Sequence, residues 1–340
     1  MKAILDDHQS LHDPKHFMAN GTAQPNPEQP QRIEMLKKGA GAAGCEFIPP
    51  QDHGSGPISA IHTAEYLTFL KNIYRRWHLI DGASDEVIPN VHPDRRNVNY
   101  PKSAVGQAGY HQADTACPIA EGTWEAAYWS AQTAVTAADM VLSGEQAAYA
   151  LCRPPGHHAF ADLAGGFCFL NNSAIAAERL VQAGKRPAIL DVDVHHGNGT
   201  QGIFYERSDV LTVSLHADPD RFYPFFWGSA QERGDGAGRG YNLNLPLPRG
   251  TGDGEYLKTL EKALERIRAF GADTLVIALG LDSYENDPLQ GLSITTPGFA
   301  RLGKAISGLN LPSVLVQEGG YLCDELGENL TSFLNGFETK

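Results

Sequence analysis

The chain has 340 residues, of which 42% are hydrophobic and 20% charged, and its formal net charge is −13. This composition excludes disorder, collagen-like repeats and coiled coils, and the length suits one α/β domain over residues 1–340. The negative charge repels phosphate backbones and attracts cations, so we expect no nucleic-acid partner, and a cationic substrate is compatible with it.

The cysteines and the amino terminus indicate where the protein works. The five cysteines lack paired CxxC spacing and are odd in number, which argues against a disulfide framework and a cysteine zinc cluster. Asp6 and Asp7 lie where a signal peptide has its apolar core, and no run of about 18 apolar residues occurs. We therefore predict a cytoplasmic protein without a membrane partner.

The first third of the chain contains few regular elements by pattern. Residues 1–60 are predicted to be mainly loops around a short helix over 31–38, and a second helix is predicted over 63–77. The segment 84–107 is polar and basic, holds three prolines and has no apolar period. It is predicted to be one long loop, and long loops in compact domains are usually functional or interfacial.

Beyond Thr123 the pattern changes to regular helices and short apolar runs. Small and apolar residues at helical spacing predict a helix that ends before Gly144, and another helix is predicted over 256–270. Buried strands are predicted at 147–152, 188–194, 210–215, 274–281 and 313–317. This alternation predicts an α/β fold, a parallel β-sheet flanked by helices, with ligands bound at the carboxyl ends of the strands.

Polar residues lie at the carboxyl ends of two of these strands, 188–194 and 274–281. Asp191, Asp193 and His195 alternate, so they point to one side of the strand or of its immediate extension. Such a cluster is typical either of a hydrogen-bonded network or of a metal site. Asp282 follows the run at 274–281 and can meet this cluster at the sheet edge. Asp193, His195 and Asp282 then form a chemically reasonable catalytic zinc site, with two carboxylates, a neutral imidazole and an open position.

Two further segments carry candidate catalytic groups. His157 and His158 follow Arg153-Pro154-Pro155-Gly156 and bring two bases near one point without requiring either to bind metal. Tyr321 follows Glu318-Gly319-Gly320, and the glycines permit the phenol to turn inward. Alone, each of these segments could also be an ordinary loop or turn.

Together, four segments resemble the histone deacetylase superfamily, which has the arginase-like α/β fold, and most of all its bacterial acetylpolyamine amidohydrolases. The resemblance covers about residues 110–322. The segments are Arg153-Pro154-Pro155-Gly156-His157-His158, Gly165-Gly166-Phe167-Cys168-Phe169-Leu170-Asn171-Asn172, Asp191-Val192-Asp193-Val194-His195-His196-Gly197-Asn198-Gly199-Thr200 and Glu318-Gly319-Gly320-Tyr321. The loop at 84–107, with Arg95 and Arg96, is similar to their dimerising insertion, so a homodimer or higher homo-oligomer is expected.

The resemblance implies one catalytic Zn²⁺ on Asp193, His195 and Asp282. It implies that Tyr321 stabilises the oxyanion. It also implies that His158 acts as general base and acid, and that His157, paired with Asp191, tunes the electrostatics. Asn198 stands where many family members have an aspartate behind the second histidine. The choice of base between the two histidines therefore stays open.

The resemblance also implies one or two structural K⁺ ions. The first site has the Asp191 and Ser214 side chains with backbone oxygens of Asp193, His195 and Leu215. The second would use backbone oxygens of Phe204, Arg207 and Val210.

Residues around the substrate are assigned by the same resemblance. The Gly166 carbonyl would accept a hydrogen bond from the substrate amide, and Phe167 and Tyr223 would form the walls of a slender tunnel. Phe17 stands where some acetylpolyamine enzymes carry an acid that binds a distant ammonium. Asp114 is the remaining candidate at the rim, although exposed aspartates are more often simply solvated.

These observations predict a zinc-dependent amidohydrolase that removes an N-acetyl or similar small acyl group from an amine, such as an acetylpolyamine or an acetyl-lysine-like substrate. One alternative is a hydrolase of the same mechanism that acts on another small or xenobiotic amide. A catalytically silent binding module is the alternative from another class, and the complete set of ligands, histidines and tyrosine argues against it. A panel of acetylated amines, peptides and simple alkyl amides discriminates these possibilities.

Overall fold

The structure is a computed structural model and describes residues 1–94 and 99–339. Its strands are β1 Lys2–Ile4, β2 His16–Ala19, β3 Thr22–Pro25, β4 Glu46–Ile48, β5 Ala147–Ala150, β6 Pro187–Asp191, β7 Leu211–Ala217, β8 Asn242–Leu247, β9 Thr274–Leu279 and β10 Ser313–Gln317. Its α-helices are α1 Gln31–Ala42, α2 Gly56–Ser59, α3 Ala64–Trp77, α4 Ala104–His111, α5 Thr123–Leu142, α6 Asn172–Gln182, α7 Asn198–Phe204, α8 Asp253–Phe270, α9 Thr296–Ser307 and α10 Leu326–Glu338. Short 3₁₀ helices occupy Asp7–Leu11 and Gly236–Gly238.

One sheet of eight parallel strands organises the described part of the chain. Its strand order is β4-β1-β5-β10-β9-β6-β7-β8. The central strands β6, β9 and β10 are buried along their whole length, because helices and loops cover both faces of the sheet. Two hydrophobic cores result, one on each side. The predicted fold class is confirmed.

The five predicted strands are all present, and three of them end earlier than predicted. β5 ends at Ala150 instead of residue 152. β6 ends at Asp191 and β9 at Leu279. Asp193 and Asp282 therefore lie on loops just beyond the sheet. The two long predicted helices correspond to α5 and α8, and the predicted helix at 63–77 is α3, whose first turn is capped when Thr63 Oγ1 accepts a hydrogen bond from Tyr66 N.

Three expectations were wrong in detail. Residues 1–60 are not only loops, because β1 and β4 extend the main sheet; three-residue strands are too short to show a period. The edge strand β8 was missed, because polar residues and a proline alternate with its leucines. The loop predicted at 84–107 ends earlier, because α4 begins at Ala104. Arg95 and Arg96 of that loop lie outside the described residues.

No helix within residues 1–94 and 99–339 is both long and apolar enough to span a bilayer. All five cysteines are free thiols in the structure, as expected from their spacing. The cytoplasmic location stays a prediction.

A buried ion-pair cluster fastens the amino-terminal part of the chain to the carboxyl edge of the sheet. Glu28 Oε1 accepts hydrogen bonds from Arg32 Nη1 at 2.6 Å and from Arg153 Nε at 2.9 Å, and all three side chains are fully buried. Arg32 also donates to the carbonyl oxygens of Glu318 and Gly320. Burial raises the pKa of Glu28, but the two guanidinium groups outweigh it and hold the pKa below its ordinary value.

We predict that Glu28→Ala lowers the free energy of unfolding by about 3–5 kcal/mol, because it leaves two buried guanidinium groups without their carboxylate. Urea denaturation measures this change. The matched control is Glu261→Ala, which removes the exposed pair with Arg268 and should cost less than about 1 kcal/mol. Equally small decreases in the free energy of unfolding for both variants would contradict the structural role of the cluster.

Candidate active site

Four adjacent strands supply the candidate site. In the sheet order, β5, β10, β9 and β6 are neighbours. The loops after their carboxyl ends carry, respectively, the tandem histidines, Tyr321, Asp282 and the Asp193–His195 segment. Because parallel strands end at one edge of the sheet, segments that lie up to about half the chain apart in sequence meet there.

The first cluster is a set of potential metal ligands. His195 Nδ1 lies 3.1 Å from Asp193 Oδ1 and 3.2 Å from Asp282 Oδ2, and all three side chains are buried. Donor atoms about 2.0–2.1 Å from a tetrahedral zinc ion lie about 3.3 Å apart. Both distances from His195 Nδ1 are close to this value, and one ligand atom from each of the three residues lies within 4.8 Å of the others, so the donor set fits the ion.

The electrostatics of this cluster also favour a cation. Burial, followed by the charge of Asp193, raises the pKa of Asp282. The pKa of Asp193 is lowered: burial raises it, but the imidazoles of His157 and His195 outweigh that effect. Two carboxylates this close repel each other when both are ionised and shielded from water. A bound cation removes that repulsion.

Hydrogen bonds fix the orientation of the two carboxylates. Asp193 Oδ2 accepts from Gly319 N at 2.8 Å, and Asp282 Oδ1 accepts from Val194 N at 3.0 Å. A Cβ atom on residue 319 would lie only 2.1 Å from Asp282 Oδ2 and 2.6 Å from Asp193 Oδ2. Glycine at this position therefore allows the Glu318–Tyr321 loop to approach both carboxylates.

The tandem histidines have different partners and different charge states. His157 Nδ1 lies 2.9 Å from Asp191 Oδ2, and His158 Nδ1 lies 2.7 Å from Asn198 Oδ1. Burial lowers the pKa of His157, but Asp193 and Asp191 outweigh it and raise the pKa well above its ordinary value. Burial, with the charges of His157 and His195, lowers the pKa of His158. His158 is thus neutral and donates to Asn198, which leaves a lone pair on its Nε2.

A second group in the described residues also brings three possible ligand atoms together, from His157, Cys168 and Glu318. Glu318 is already engaged: Oε2 accepts from the backbone N–H groups of Gly156 and His157 at 2.7 and 3.0 Å, and Oε1 accepts from Ser173 at 2.8 Å. These contacts connect the histidine loop to the tyrosine loop. Glu318 therefore has an evident structural role at this position.

Tyr321 is buried, yet its hydroxyl hydrogen-bonds to no residue within 1–94 and 99–339. Its backbone N–H donates to Asp287 Oδ2 at 2.9 Å, and the Arg32 guanidinium lies 5.0 Å from the centre of its ring. Burial, followed by the charge of Asp282, raises the pKa of the phenol well above its ordinary value. The hydroxyl is therefore protonated and available as a donor to a ligand.

A cavity of about 370 Å³ leads to this site, which is within the range of pockets for small ligands. Its lining residues are Phe17, Asn20, Ala116, His158, Gly166, Phe167, His195, Arg221, Phe222, Tyr223, Phe225, Leu289 and Tyr321. Phe167 lies 5.7 Å, centre to centre, from both the Phe17 and the Tyr321 rings. Tyr223 contacts His158 edge-on at 5.0 Å. The two predicted wall aromatics thus do lie beside the candidate catalytic groups.

The remaining predicted substrate residues lie close to this cavity. Gly166 has φ +50°, and its carbonyl accepts no hydrogen bond from the residues that the structure describes. Asp114 is half-buried and accepts a hydrogen bond from Tyr223.

The K⁺ sites stay predictions, and the structure describes the surroundings of their residues. Asp191 and Ser214 are partners in the β6–β7 pairing, beside a cavity of about 10 Å³. Phe204 ends α7, and Val210 is buried immediately before β7. The Arg207 side chain pairs with Glu178 and Asp209, which leaves the predicted role of its backbone oxygen untested.

Several site residues were not predicted from the sequence. Arg32 and Asp287 contact the Tyr321 loop, and Arg221, Phe225 and Leu289 line the cavity. Arg32 lies 288 positions from Gly320, and such a contact leaves no local pattern. The aromatic run Phe222–Trp227 was visible in the sequence, and the structure leaves Phe225 and Phe226 of this run exposed.

The comparisons with known proteins agree with this geometry. The family model of the histone deacetylase domain matches residues 26–337. The chain is 47% identical over 330 residues to an acetylpolyamine amidohydrolase of Burkholderia pseudomallei, covering 97% of this chain and 96% of that protein. It is 42% identical to acetylpolyamine amidohydrolase 1 of Pseudomonas aeruginosa, covering 99% of both chains.

Solved structures give the same result. The crystal structure of the acetylpolyamine aminohydrolase from Burkholderia pseudomallei, from an iodide soak, superposes with a TM-score of 0.97 at 46% identity, covering 100% of this chain and 99% of that one. The HDA15 HD domain superposes with a TM-score of 0.80 at 28% identity, covering 99% and 90%. The chain belongs to the histone deacetylase family. It is an amide hydrolase of the deacetylase class, as predicted.

We predict that Asn198→Asp moves the acidic limb of the kcat/KM–pH profile upward by about 1 pH unit or more, because a carboxylate beside Nδ1 stabilises the imidazolium form of His158. Below the new pKa the base is protonated and activity is lost, so the variant is less active than the parent at low pH. Steady-state rates across the pH range, with an acetylated amine, measure the shift. An unchanged acidic limb would show that His158 does not control it.

Proposed function

We propose that the protein is a zinc-dependent deacetylase that hydrolyses the acetamide of a small N-acetylated amine. The observation that carries this proposal is the convergence of Asp193, His195 and Asp282 with His158 and Tyr321 at one cavity. A binding module has no need of two oriented carboxylates, a neutral imidazole and a free phenol in one place. The catalytically silent alternative is therefore disfavoured.

Asp193, His195 and Asp282 would hold the zinc ion. When bound, zinc supplies Lewis acidity, which polarises an amide carbonyl and makes water more acidic. The buried carboxylates provide the negative charge that retains the ion, and their hydrogen bonds to Gly319 and Val194 keep them oriented. The family membership of the chain supports zinc as the metal.

The protein groups around the cavity account for the proton transfers. His158 accepts a proton at Nε2 from the attacking water while the new C–O bond forms. Tyr321 donates a hydrogen bond to the carbonyl oxygen as it becomes negative. When the C–N bond breaks, His158 returns the proton to the leaving nitrogen, so the products are acetic acid and the amine, which become acetate and an alkylammonium ion when the acid's proton passes to the amine. His157, held by Asp191 and with its Nε2 3.8 Å from Asp193 Oδ1, adds positive charge behind the metal ligands.

The substrate is held by the walls of the cavity. The free carbonyl of Gly166 accepts a hydrogen bond from the substrate N–H, and Phe167 and Tyr223 enclose its alkyl chain. We propose an acetylpolyamine as the substrate class, supported by the names of relatives that are 42–47% identical over nearly the full chain. Phe17 and Phe225 at the cavity are compatible also with acetyl-lysine or with an uncharged alkyl amide.

We further propose one catalytic domain over residues 1–340, with one or two structural K⁺ ions. The single domain is supported by a sheet that includes both β1 and β10. The first K⁺ site is supported by the adjacent Asp191 and Ser214. The second, at the backbone oxygens of Phe204, Arg207 and Val210, rests on the resemblance.

A homodimer formed through the 84–107 segment is also proposed. The exposed Val91 and Tyr100 within this segment support it, since apolar side chains at a surface often mark an interface. Sedimentation velocity tests this proposal, and a monomeric mass at micromolar concentration would contradict it.

We predict that Tyr321→Phe lowers kcat on N-acetylputrescine by about 10²- to 10³-fold, because one preorganised donor to the oxyanion is lost. The zinc content, measured by elemental mass spectrometry, should be unchanged. Tyr128→Phe is the matched control, because Tyr128 donates to Asp52 at the surface, away from the cavity. Near-parental turnover of Tyr321→Phe would assign the tyrosine to packing and would overturn the proposed mechanism.

A further inference from the structure

Asp114 lies where three loops of the cavity meet. It follows α4, on the segment before α5. This segment bonds to the β2–β3 hairpin, where Met18 N donates to Thr115 O at 3.4 Å, and to the glycine loop, where Phe167 N donates to Ala116 O at 3.2 Å. The hairpin carries Phe17, and the glycine loop carries the predicted acceptor for the substrate amide.

The carboxylate of Asp114 is engaged by protein donors from both walls. Its Oδ2 accepts from the Tyr223 hydroxyl at 2.6 Å and from Gly166 N at 3.2 Å, and its Oδ1 accepts from Ala116 N at 2.8 Å. Three of the roughly four acceptor positions of a carboxylate are therefore in use. The described lining of the cavity includes no carboxylate, and Asp114 is not part of it.

Asp114 joins the Gly166 wall to the Tyr223 wall. Little free space separates these two walls from the candidate catalytic groups. A Cβ atom on residue 166 would lie 2.4 Å from His158 Cδ2 and 2.9 Å from the Tyr223 hydroxyl oxygen. The Tyr223 ring also approaches His195, at 6.0 Å between ring centres. A displacement of Tyr223 would therefore change both the width of the cavity and the position of Gly166.

We propose that Asp114 is a positioning residue, whose carboxylate joins the Tyr223 wall to the Gly166 wall and so sets the width of the tunnel, and that it does not bind the ammonium of the substrate. This inference rests on the proposed deacetylase function and refines how that site selects its substrate. Burial, together with the neighbouring Asp114 charge, raises the pKa of Tyr223 well above its ordinary value, so the phenol remains a donor.

Two classes of substrate separate this role from direct recognition of a cation. N-acetylputrescine carries a distal ammonium, whereas N-butylacetamide has a neutral chain of similar length. A residue that binds the ammonium affects only the first compound. A residue that positions the walls affects both compounds equally.

The experiment compares Asp114→Asn, Tyr223→Phe and the double variant with the parent. We expect each single variant to lower kcat/KM by about 10-fold for both substrates, since Asp114→Asn removes the negative charge and one acceptor atom from the contact and Tyr223→Phe removes its donor. The kcat/KM of the double variant should lie within about 2-fold of that of the less active single variant, because the two residues act through one contact. The acidic limb of the pH profile should not move. Tyr128→Phe, which breaks a surface tyrosine–aspartate contact, is the matched control.

Two results would overturn the proposal. In the first, Asp114→Asn lowers kcat/KM only for N-acetylputrescine, and Tyr223→Phe has parental kcat/KM for both substrates. This result would make Asp114 an ammonium site. The second is parental kinetics in both single variants. Since Tyr223→Phe removes only one hydroxyl, it keeps the test valid even where Asp114→Asn folds poorly.

If the proposed function is wrong, the parent protein hydrolyses neither amide, and this result is distinct from the two above. In that case calorimetric binding of hexanohydroxamate and of 6-aminohexanohydroxamate to the zinc-loaded protein replaces turnover. Equal weakening of both hydroxamates in the two single variants supports the positioning role. Weakening of only the amino compound, or of neither, overturns it.

Discussion

The repulsion between two buried carboxylates is the constraint on which this site depends. Asp193 and Asp282 both approach His195 Nδ1 within 3.2 Å, in a region that is shielded from water. Placing such charges in a protein interior costs several kcal/mol for each ion unless a cation compensates them. The imidazoles of His157 and His195 compensate Asp193, whose pKa is lowered, whereas the pKa of Asp282 stays raised; a divalent metal would remove this remaining cost.

Structural support for this site extends to the opposite end of the sequence. The Tyr321 loop is held through its backbone carbonyls by Arg32 of α1, and the histidine loop is held by the Glu318 carboxylate and, through Arg153, by Glu28. The tyrosine, the histidines and the carboxylates are thus fixed relative to one another by buried charged contacts. Preorganisation of this kind allows the protein dipoles to act on a transition state without further rearrangement.

The sequence predicted the parts of the site that follow strands, because apolar runs mark the strands and polar residues mark their carboxyl ends. Asp193, His195 and Asp282 could be grouped in this way from the pattern of residues alone. The short strands β1 and β4, the polar edge strand β8, and the contacts of Arg32 and Asp114 could not. The strands are too short or too polar to show a period, and the contacts join loops that lie far apart in sequence, so that only the folded chain shows them.

The proposed hydrolysis requires that Asp193, His195 and Asp282 together form one zinc site. Titration of the metal-depleted protein with zinc, followed by calorimetry and by turnover of N-acetylputrescine, measures this requirement directly. We predict tight binding of one ion per chain, activity that rises in proportion to the bound ion, and loss of both in Asp282→Asn but not in a variant of the exposed Asp220. Full turnover by the metal-depleted protein, or unchanged zinc affinity in Asp282→Asn, would contradict the proposed zinc site.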